Sequence, residues 1–596
     1  MRDQSLTDLT CDVVVVGSGV AGLAAAVTAG HLGLNVVVIE KASVFGGTSA
    51  FSGGVLWVPN NHHAAAAGIS DSPEEARAYL RDEAGEHYRP ELVEAYLEQA
   101  PRMLKFFEEN THLQCQLYAY PDYHPDAPGG VQQGRSLVPY AFDIRALGKE
   151  MARLRRPLRT ITFMGMMFSS SNNDLKHFFN ATRSLKSLWH VTRRLSRHAL
   201  ELLRYRRGIT AHGGNAAVAR LARSAFDLGI PLHTGTRASR LLLQEGEVRG
   251  IEVLQGENRF RLMARRGVVL ASGGFAQDTS RLQQIYPHVL RGGHQLSPTP
   301  TGGPTGDGIA MAEHIGAKFV RDYPNAAAWI PTSRVPLRRQ TGVFPHLVDR
   351  YKPGLIMVNP RGERFCNEAD SYHDVGIAMI ARCQQGAETY AWQICDHRAI
   401  RRYGMGFAKP APVPLSGYLR SGYLIRATTL TALAEKLGLP PGALEKSVAR
   451  FNEDARQGTD SQFRRGESSY NRYLGDAEQK PNPCLSPLEE GPFYALRMEM
   501  GDLGTFCGLK TDGSARVLDS NDVPIPGLYA AGNEMASVMG GSYPGAGITL
   551  GPAATFGYIA AHHLAERTRH TSPHSPQEQT YDHTVQPAAA RTADAG

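Results

Sequence analysis

A glycine-rich turn near the N-terminus constrains the fold of this chain more than any other feature. The β-branched run Cys11–Val16 leads directly into Gly17-Ser18-Gly19-Val20-Ala21-Gly22. Small residues from Leu23 to about Leu32 favour a helix after the turn, and Asn35–Ile39 has the composition of a second strand. Strand, glycine turn, helix and strand make a βαβ unit, which predicts a parallel sheet in an α/β protein.

The spacing of the three glycines predicts what the turn binds. In a Gly-x-Gly-x-x-Gly turn the first glycine permits the sharp bend, the second lets the backbone approach a pyrophosphate, and the third lets the helix pack on the strand. The free N–H groups of the helix N-terminus then face the phosphates. Glu40 ends the second strand at nearly the spacing of an acid that hydrogen-bonds a ribose hydroxyl. The sequence therefore predicts a dinucleotide site.

The residues after Glu40 extend this predicted surface. The run 41–54, KASVFGGTSAFSGG, is rich in glycine and hydroxyl side chains, so its backbone amides can follow an extended cofactor past the pyrophosphate. Short glycine motifs recur at Ala271–Gly274, Thr305–Gly308 and Ala531–Asn533. With these motifs the chain resembles the fumarate reductase/3-ketosteroid dehydrogenase flavoprotein family over roughly residues 11–145 and 210–565.

The resemblance implies FAD as the cofactor and a set of residues that contact it. In succinate dehydrogenases of this family a histidine in the glycine loop binds the flavin covalently; this loop has Thr48, Ser49 and Ala50, which implies noncovalent FAD. The predicted cofactor-binding residues are Gly17, Ser18, Gly19, Ala21, Gly22, Glu40, Lys41, Gly46, Gly47, Thr48, Ser49, Ser52, Gly53, Gly54, Ala271, Ser272, Gly273, Asp307, Gly532, Asn533, Ile548 and Leu550.

A second motif, near the C-terminus, separates the subfamilies. Dicarboxylate enzymes such as fumarate reductase carry a His-Gly-x-Asn-Arg stretch, whose cations hold carboxylates. This chain has Gly540-Gly541-Ser542-Tyr543-Pro544-Gly545-Ala546-Gly547 there, with no cation for a bidentate carboxylate contact. The Tyr-Pro-Gly-x-Gly form is similar to that of the 3-ketosteroid Δ1-dehydrogenases.

Three tyrosines carry the implied chemistry. By resemblance, Tyr372, in the segment Asn367–Tyr372, takes the α-proton of a ketone, and Tyr123, in Pro121–Tyr123, supports it. Tyr543 and the Gly547 N–H hold the ketone oxygen, where such donors stabilise the developing charge. Ala369 stands where the family has serine, and the nearby Tyr118 and Tyr120 are alternatives for the role of Tyr123.

The favoured reaction is 1,2-dehydrogenation of a 3-ketosteroid, with the β-hydride passing to flavin N5 and a quinone-like carrier reoxidising the flavin. Another cyclic ketone, or a Δ4-specific ketosteroid reaction, would use the same groups. A fumarate-type reductase and a membrane-bound flavoprotein without catalytic activity remain the less favoured alternatives.

Length and local composition suggest the organisation of the chain. The 596 residues exceed one compact core. We expect a discontinuous Rossmann-like FAD-binding domain from residues 1–150, 209–290 and 491–566, with an inserted α+β substrate (capping) domain at 291–490. Residues 151–208 form a basic amphipathic insertion, and 567–596 a disordered tail. A long helix is expected to start near Thr549–Gly551.

The basic insertion is the most unusual segment. It has fourteen Lys or Arg and three Asp or Glu between Lys149 and Arg207, although the whole chain has a net charge of +7. Leu175–Tyr205 is predicted as a helix that mixes aliphatic, aromatic and basic residues, as in helices that lie on membranes. A packed helical hairpin is the alternative. We expect a cytoplasmic protein, with peripheral attachment to the inner face of the membrane through 151–207 as the further hypothesis.

Other ligands find little support. The seven cysteines are odd in number and lack CxxC spacing, which argues against a disulfide framework or a metal–thiolate site. The vicinal pair His62–His63 has no third ligand in its sequence neighbourhood, so no metal site is expected. Nothing outside the basic insertion suggests a nucleic-acid partner.

Overall fold

The structure is a computed structural model that describes residues 8–167, 177, 178, 180, 181, 184–337 and 340–567. The predicted disordered tail lies outside this part of the chain except for Arg567. All seven cysteines are buried free thiols. Among the described helices, none has both the length and the apolar character needed to cross a bilayer.

The strands are β1 (Leu9–Val16), β2 (Val36–Glu40), β3 (Leu56–Trp57), β4 (Cys115–Leu117), β5 (Ser136–Pro139), β6 (Phe142–Asp143), β7 (Thr210–Ala211), β8 (Leu232–Thr234), β9 (Thr236–Gln244), β10 (Glu247–Gln255), β11 (Asn258–Leu270), β12 (Phe319–Val320), β13 (Ala327–Pro336), β14 (Thr341–Pro345), β15 (Leu355–Val358), β16 (Gln384–Gln385), β17 (Glu388–Cys395), β18 (Ile425–Ala427), β19 (Phe493–Thr505), β20 (Gly508–Leu509), β21 (Arg516–Leu518) and β22 (Pro524–Ala530).

The α-helices are α1 (Val20–His31), α2 (His62–Ala66), α3 (Pro73–Ala84), α4 (Pro90–Asn110), α5 (Leu185–Tyr205), α6 (Gly213–Asp227), α7 (Thr279–Ile285), α8 (Pro287–Leu290), α9 (Asp307–His314), α10 (Tyr372–Arg382), α11 (His397–Tyr403), α12 (Ser416–Arg420), α13 (Leu430–Leu437), α14 (Ala443–Gln457), α15 (Ser469–Leu474) and α16 (Leu550–Glu566). Short 3-10 turns occur at Thr48–Phe51, Gly85–His87, Ile144–Arg153, Arg159–Ile161 and Gly532–Glu534.

The first sheet assembles the three chain segments that the sequence assigns to one domain. Its central order is β21-β22-β11-β1-β2-β8, and β1 pairs in parallel with both β2 and β11. The parallel-paired stretches Val13–Val16 of β1, Val36–Ile39 of β2 and Gly267–Leu270 of β11 are buried and apolar, as expected for a parallel sheet covered on both faces. The predicted α/β class with a Rossmann-like core and an added α+β part is confirmed.

Two glycines explain the tight βα turn. Gly17 has φ +111°, and a Cβ there would lie 2.3 Å from the Ala271 carbonyl oxygen. A Cβ on Gly22 would lie 2.0 Å from the Gly17 carbonyl oxygen. Only residues without a side chain fit this turn, so α1 can start directly over the end of β1.

Strand β11, which leads into the Ala271–Gly274 motif, is 13 residues long. Its first half pairs antiparallel with β10 and its second half pairs in parallel with β22, while β1 pairs in parallel with it from Leu262 to Leu270. Helix α6 begins at Gly213, and α16 starts at Leu550 as predicted.

The predicted helix 175–205 is observed from Leu185, after Ser184 caps it by accepting from the Ser187 amide. The residues 175, 176, 179, 182 and 183 lie outside the described ranges, and so does Phe168. Earlier in this segment, Phe163–Met166 form a tight turn in which the amide of each end residue donates to the carbonyl of the other.

The second sheet lies mostly in the inserted part of the chain. Strands β14-β13-β19-β17-β15 are antiparallel, with β16 and β18 at its margins. Its central strand β19 lies beyond the expected boundary at residue 490, so the stretch assigned to the third FAD-binding segment first completes this sheet. Helix α10 packs beneath the sheet; a Cβ on its Gly376 would lie 2.5 Å from the Trp329 Cβ on β13. After β19 the chain returns to the first sheet through β21 and β22.

Candidate active site and cofactor cleft

A long cleft runs along the carboxyl ends of the parallel strands of the first sheet. Its empty space, including the part open to solvent, is about 1070 Å³, and it is bounded by the ends of β1, β2 and β11 and by the start of α1. Ligands of open α/β sheets bind at this edge, where strands end and helices begin. The cleft is therefore the candidate cofactor site.

Most of the predicted cofactor-binding residues line this cleft. They are Gly17, Ser18, Gly19, Ala21, Glu40, Lys41, Gly47, Thr48, Ser49, Ser52, Ala271, Ser272, Gly273, Asp307, Gly532, Asn533 and Leu550. They come from segments more than 500 positions apart in the sequence, and the sheet brings them to one surface.

The remaining predicted residues lie behind the surface or beside it. Gly22 supports the turn from beneath, and the Gly46 amide donates to the Ser18 hydroxyl over 3.0 Å. Gly54 contacts the Gly213 backbone so closely that a Cβ would lie 2.1 Å from it, and Gly53 precedes it in the same loop. Ile548 lines a neighbouring cavity of about 320 Å³ together with Asn533.

Glu40 uses its carboxylate to hold the glycine turn. Oε2 accepts from the Ser18 hydroxyl at 2.5 Å and from its amide at 3.3 Å, and Oε1 accepts from the Ala42 amide at 2.9 Å. The side chain still lines the cleft, as the ribose prediction requires. The same acid thus fixes the loop geometry and offers an acceptor edge to the cleft.

An ion-pair cluster closes one end of the cleft. Lys41 Nζ lies 2.8 Å from Asp307 Oδ2, and Arg237 donates to Oδ1 over 2.8 Å. Although burial alone would raise the pKa of Asp307, the hydrogen bonds and charges of Lys41 and Arg237 lower it. Asp307 is therefore an ionised anchor for two cations at the start of α9.

Sequence reasoning missed two arginines of the cleft. Arg237, on β9, and Arg155, in the segment assigned to the basic insertion, both line it. The Arg155 amide and carbonyl bond Phe45 and Asn215, which ties the start of the insertion to the glycine loop. Neither residue belongs to a sequence motif. Their positive charge, which suits a phosphate site, was the only signal that could have pointed to them.

Three tyrosines meet beyond the cleft, although they lie far apart in the sequence. The Tyr123 hydroxyl donates to the Tyr372 hydroxyl over 3.1 Å. The ring of Tyr543 stacks on Tyr123 at 5.4 Å and lies edge-on to Tyr372 at 5.2 Å. All three are buried, so the predicted catalytic tyrosines form one cluster.

Different elements position each member of the cluster. Tyr372 is the first residue of α10, whose N-cap Ser371 accepts from the Asp374 amide. The Tyr123 amide donates to the Pro544 carbonyl over 2.8 Å, which ties its loop to the one that carries Tyr543. A buried ion pair of Asp122 and Arg135 holds the same loop, and Trp57 Nε1 donates to Asp122.

Gly547 follows Tyr543 in the same loop. Its carbonyl accepts from the Trp57 amide over 3.2 Å, and its φ of +101° favours glycine. Within the described ranges the Gly547 N–H donates to no protein acceptor. An unused donor next to Tyr543 is the arrangement that a carbonyl clamp requires.

Burial raises the pKa of each clustered hydroxyl. The pKa of Tyr543 rises to about 12, and those of Tyr123 and Tyr372 rise well above the ordinary value of a phenol. Hydrogen bonding to Tyr123 lowers the pKa of Tyr372, and hydrogen bonding to Tyr372 and Thr549 lowers that of Tyr543. Among these hydroxyls the bond from Tyr123 to Tyr372 is 3.1 Å long, and the rings of Tyr372 and Tyr543 meet edge to face at 5.2 Å.

The alternatives Tyr118 and Tyr120 lie further out. The Tyr120 ring packs edge-on against Tyr470 at 6.0 Å and against Tyr473 at 5.0 Å, and the Tyr118 ring stacks on Tyr120 at 5.1 Å. The Tyr372 hydroxyl accepts its hydrogen bond from Tyr123. Of the three candidates, Tyr123 is therefore the one whose hydroxyl bonds Tyr372.

The cleft residues fit FAD. Gly19 caps α1 without a side chain, which leaves N–H groups of the first turn for a pyrophosphate. The glycine backbone at 17 and 19 admits a close ligand, Arg155 and Arg237 offer positive charge, and Glu40 offers an acceptor. A second strand end, β22 with Gly532 and Asn533, continues the surface toward the tyrosine cluster.

Comparison with known proteins gives consistent relatives. The FAD binding domain family matches residues 12–550. A 4-oxocyclohex-2-ene-1-carboxylate 5-dehydrogenase of Sinomonas cyclohexanicum is 39% identical over 94% of both chains. A 3-oxosteroid 1-dehydrogenase of Mycolicibacterium smegmatis is also 39% identical, over 94% of this chain and 98% of the relative.

A solved structure agrees with these relatives. The 3-ketosteroid Δ1-dehydrogenase from Sterolibacterium denitrificans, in complex with 1,4-androstadiene-3,17-dione, superposes with a TM-score of 0.85 at 38% identity. The match covers 93% of this chain and 99% of that one. The prediction of FAD as cofactor is confirmed by the family match. The chain therefore belongs to the FAD binding domain family of flavoproteins, together with the ketosteroid and oxocyclohexane dehydrogenases.

Proposed function

We propose that this protein is an FAD-dependent oxidoreductase that introduces a double bond beside a ring ketone, and that its substrate is a 3-ketosteroid desaturated at the 1,2 position. The observation that carries the proposal is the buried contact of Tyr123, Tyr372 and Tyr543. The Tyr543 ring also lies 6.1 Å from Phe506, which lines the cavity next to the cleft. The names of the steroid dehydrogenases at 38–39% identity support it.

Each residue has one task in this proposal. Tyr543 and the Gly547 N–H donate to the ketone oxygen, so the carbon next to the carbonyl becomes more acidic. Tyr372 accepts the α-proton, and Tyr123, which donates to it over 3.1 Å, stabilises its anionic form. Bound FAD supplies the acceptor for the β-hydride at N5.

A buried phenol needs the help of neighbouring groups to act as the base. A hydroxyl of ordinary pKa about 10 is a weak base at neutral pH. Burial raises the pKa of Tyr372 further, so the Tyr123 hydrogen bond and a polarised ketone must favour transfer together. Removing either group should therefore slow proton removal.

We propose noncovalent FAD, because Thr48, Ser49 and Ala50 occupy the loop where covalent relatives have histidine. Thr48 and Ser49 line the cleft. FAD should be released by denaturation and appear in the protein-free filtrate, whereas a covalent flavin would stay with the chain.

The function can be tested by anaerobic mixing of the purified holoenzyme with ketones while the visible band of oxidised flavin is followed. A saturated or 4-ene 3-ketosteroid should bleach the flavin and yield a product with a new double bond between carbons 1 and 2. Fumarate should neither bind nor turn over. Robust reduction of fumarate, or no bleaching by any ring ketone, would contradict the proposal.

A smaller ketone that carries a carboxylate is the second candidate. The Sinomonas relative is named for such a substrate and is as similar as the steroid enzymes. A cation also lies near the cluster: the Arg350 guanidinium is buried, and its charge partly opposes the rise that burial causes in the pKa of Tyr120 and Tyr470. A tenfold higher kcat/KM with 4-oxocyclohexanecarboxylate than with a 3-ketosteroid would favour this candidate.

The surface of α5 supports a proposed contact with a membrane. Its largest apolar side chains are exposed: Leu185, Leu188, Trp189, Leu200 and Leu203, with Leu185 at 85% and Trp189 at 70%. At 100° per residue these five fall within an arc of about 120°. The buried positions Val191 and His198 lie on the opposite side of the helix.

Basic residues border this apolar face. Lys186, Arg193, Arg197 and Arg204 follow one edge of the arc at the same helical spacing. An exposed apolar face with flanking cations matches a helix that lies in a membrane interface with anionic lipids. A membrane location would also give access to a quinone-like acceptor, which we propose because the chain has one dinucleotide motif and no second for NAD(P)H.

Cosedimentation with vesicles tests the membrane proposal. The holoenzyme should pellet with phosphatidylglycerol-containing vesicles at low salt and be released at high salt. Substitution of Leu185, Trp189 and Leu203 by serine should abolish pelleting, whereas Leu290→Ser, at another exposed apolar position, should not. Equal pelleting of both variants would argue against α5 as the contact.

A further inference from the structure

A pair of histidines and a glutamate meet on the surface away from the FAD cleft. His62 and His63 begin α2, and Glu108 lies in the last turn of α4. His62 Nε2 lies 2.7 Å from Glu108 Oε2, and His63 Nε2 lies 2.9 Å from Oε1. We propose that His62, His63 and Glu108 bind a divalent transition-metal ion such as Zn²⁺.

The donor set suits such an ion. Two imidazole nitrogens and one carboxylate oxygen are a common three-ligand set for zinc, with a fourth position left for water. The three donor atoms lie within 4.8 Å of one another. Metal–ligand bonds of about 2.0–2.2 Å in a tetrahedral site separate neighbouring donors by about 3.4 Å, so shifts of under about 1 Å would admit the ion.

Surrounding hydrogen bonds hold the ligands in place. Glu108 Oε1 accepts from the Cys115 amide over 2.8 Å, which fixes the carboxylate. Asn61 precedes the histidines, is buried, and caps α2 by accepting from the Ala64 amide over 3.0 Å. Its amide group also donates to the Val58 and Gly134 carbonyls. Such outer contacts orient metal ligands and raise affinity.

The site is also accessible. The His62 side chain is 45% exposed and that of His63 27%, whereas Glu108 is 10% exposed. The carboxylate thus forms the floor, and the two rings form the rim. An ion can enter from solvent without any rearrangement of the backbone.

A bound ion would join elements that also carry the reactive loop. It would link α2 to the end of α4 and, through the Cys115 amide, to β4. Strand β4 leads toward Tyr123, but no member of the tyrosine cluster is a ligand. We therefore assign the ion a stabilising role rather than a catalytic one.

The chain contains a matched control. His562 and His563 form a second vicinal pair on α16, where His563 Nδ1 bonds the Tyr529 hydroxyl over 2.8 Å. Among the described residues this pair belongs to no metal-ligand group. Two adjacent histidines therefore occur once with a carboxylate oxygen within 2.9 Å of each ring, at His62 and His63, and once outside any such ligand group, at His562 and His563.

The test uses the FAD-loaded protein after treatment with EDTA and desalting. Titration calorimetry with ZnCl₂ should give one equivalent per chain, and zinc should raise the temperature of thermal unfolding. His63→Ala and the conservative Glu108→Gln should each weaken zinc binding at least tenfold, with FAD content unchanged. His563→Ala should bind as the wild type does. Because histidine must be neutral to ligate, affinity should fall at low pH.

Three results of this test would contradict a zinc site at His62, His63 and Glu108. Absence of a saturable zinc site in the wild type would overturn the proposal. So would unchanged binding in both His63→Ala and Glu108→Gln, or a loss confined to His563→Ala. If Glu108→Gln proves unstable without zinc, His62→Gln and His63→Gln, which leave the Cys115 contact intact, decide the question.

Discussion

Replacement of Tyr543 by phenylalanine is the most informative perturbation of the proposed reaction. The substitution removes one hydroxyl and keeps the ring. The ring stacks on Tyr123 at 5.4 Å with an interplanar angle of 9°, and it is buried, so phenylalanine fits the same space. The change therefore isolates the proposed donor to the ketone oxygen.

The expected magnitude follows from the number of donors. Loss of one oxyanion donor costs about 3–4 kcal/mol, or roughly 10²–10³ in rate. The Gly547 N–H remains, so the rate should not fall to zero. The ring keeps its packing in the variant, so loss of the hydroxyl should cost the fold only about 1 kcal/mol.

The assay is single-turnover reduction of the bound flavin under anaerobic conditions, with substrate concentration varied. Tyr543→Phe should lower the limiting rate by two to three orders of magnitude and leave the FAD content unchanged. Tyr470→Phe is the control, because its ring is also buried and lies 4.9 Å from Tyr123, whereas its hydroxyl has no proposed role toward the ketone oxygen. A loss under threefold for Tyr543→Phe, or equal losses for both variants, would refute the clamp.

Three further predictions follow from the same geometry. Tyr372→Phe should bind FAD and ketone but should show no reduction of the flavin by substrate, while dithionite still reduces the flavin. In the wild type the rate of flavin reduction by substrate should rise with pH and not level off below about pH 10, because burial raises the pKa of this base. Gly22→Ala should lower both the FAD content, measured by flavin absorbance, and the stability, measured by thermal unfolding, since its Cβ would lie 2.0 Å from the Gly17 carbonyl oxygen. The control Gly417→Ala, whose Cβ meets no atom within 4 Å, should change neither. Burial alone would raise the pKa of Glu368, but Arg364 and Arg465 outweigh it and lower that pKa to about 2. The resulting stability, roughly 3 kcal/mol, should be complete above the ordinary glutamate pKa and disappear as the pH falls toward 2. In urea unfolding between pH 3 and 7, Glu368→Gln should therefore be less stable than the wild type at pH 7, and this difference should fall by roughly half at pH 3. A constant difference would contradict this assignment.

The N-terminal βαβ unit could be predicted because its causes are local. Gly17 and Gly22 are required by contacts within the turn and by its packing on the next strand end. Strand and helix preferences on either side point the same way, so the sequence alone indicates a parallel sheet and a pyrophosphate site. The same holds for α16, whose start at Leu550 follows a glycine-rich loop.

The assembly of the tyrosine cluster required the tertiary structure. Tyr123 and Tyr372 are 249 positions apart, and no local pattern distinguishes them from the other tyrosines of the chain. The resemblance named these residues, but only packing of the Pro544 loop against Tyr123 and of α10 beneath the second sheet places the hydroxyls in contact.

What the sequence determined by itself is thus the N-terminal βαβ unit, because most of its steric requirements arise between residues close in the chain, as between Gly17 and Gly22. The tertiary structure alone decided which charges line the cleft, as with Arg155 and Arg237, and which carboxylate lies beside His62 and His63. These contacts depend on where distant segments cross. Such crossings are fixed by burial of the whole core, which no short stretch of sequence encodes.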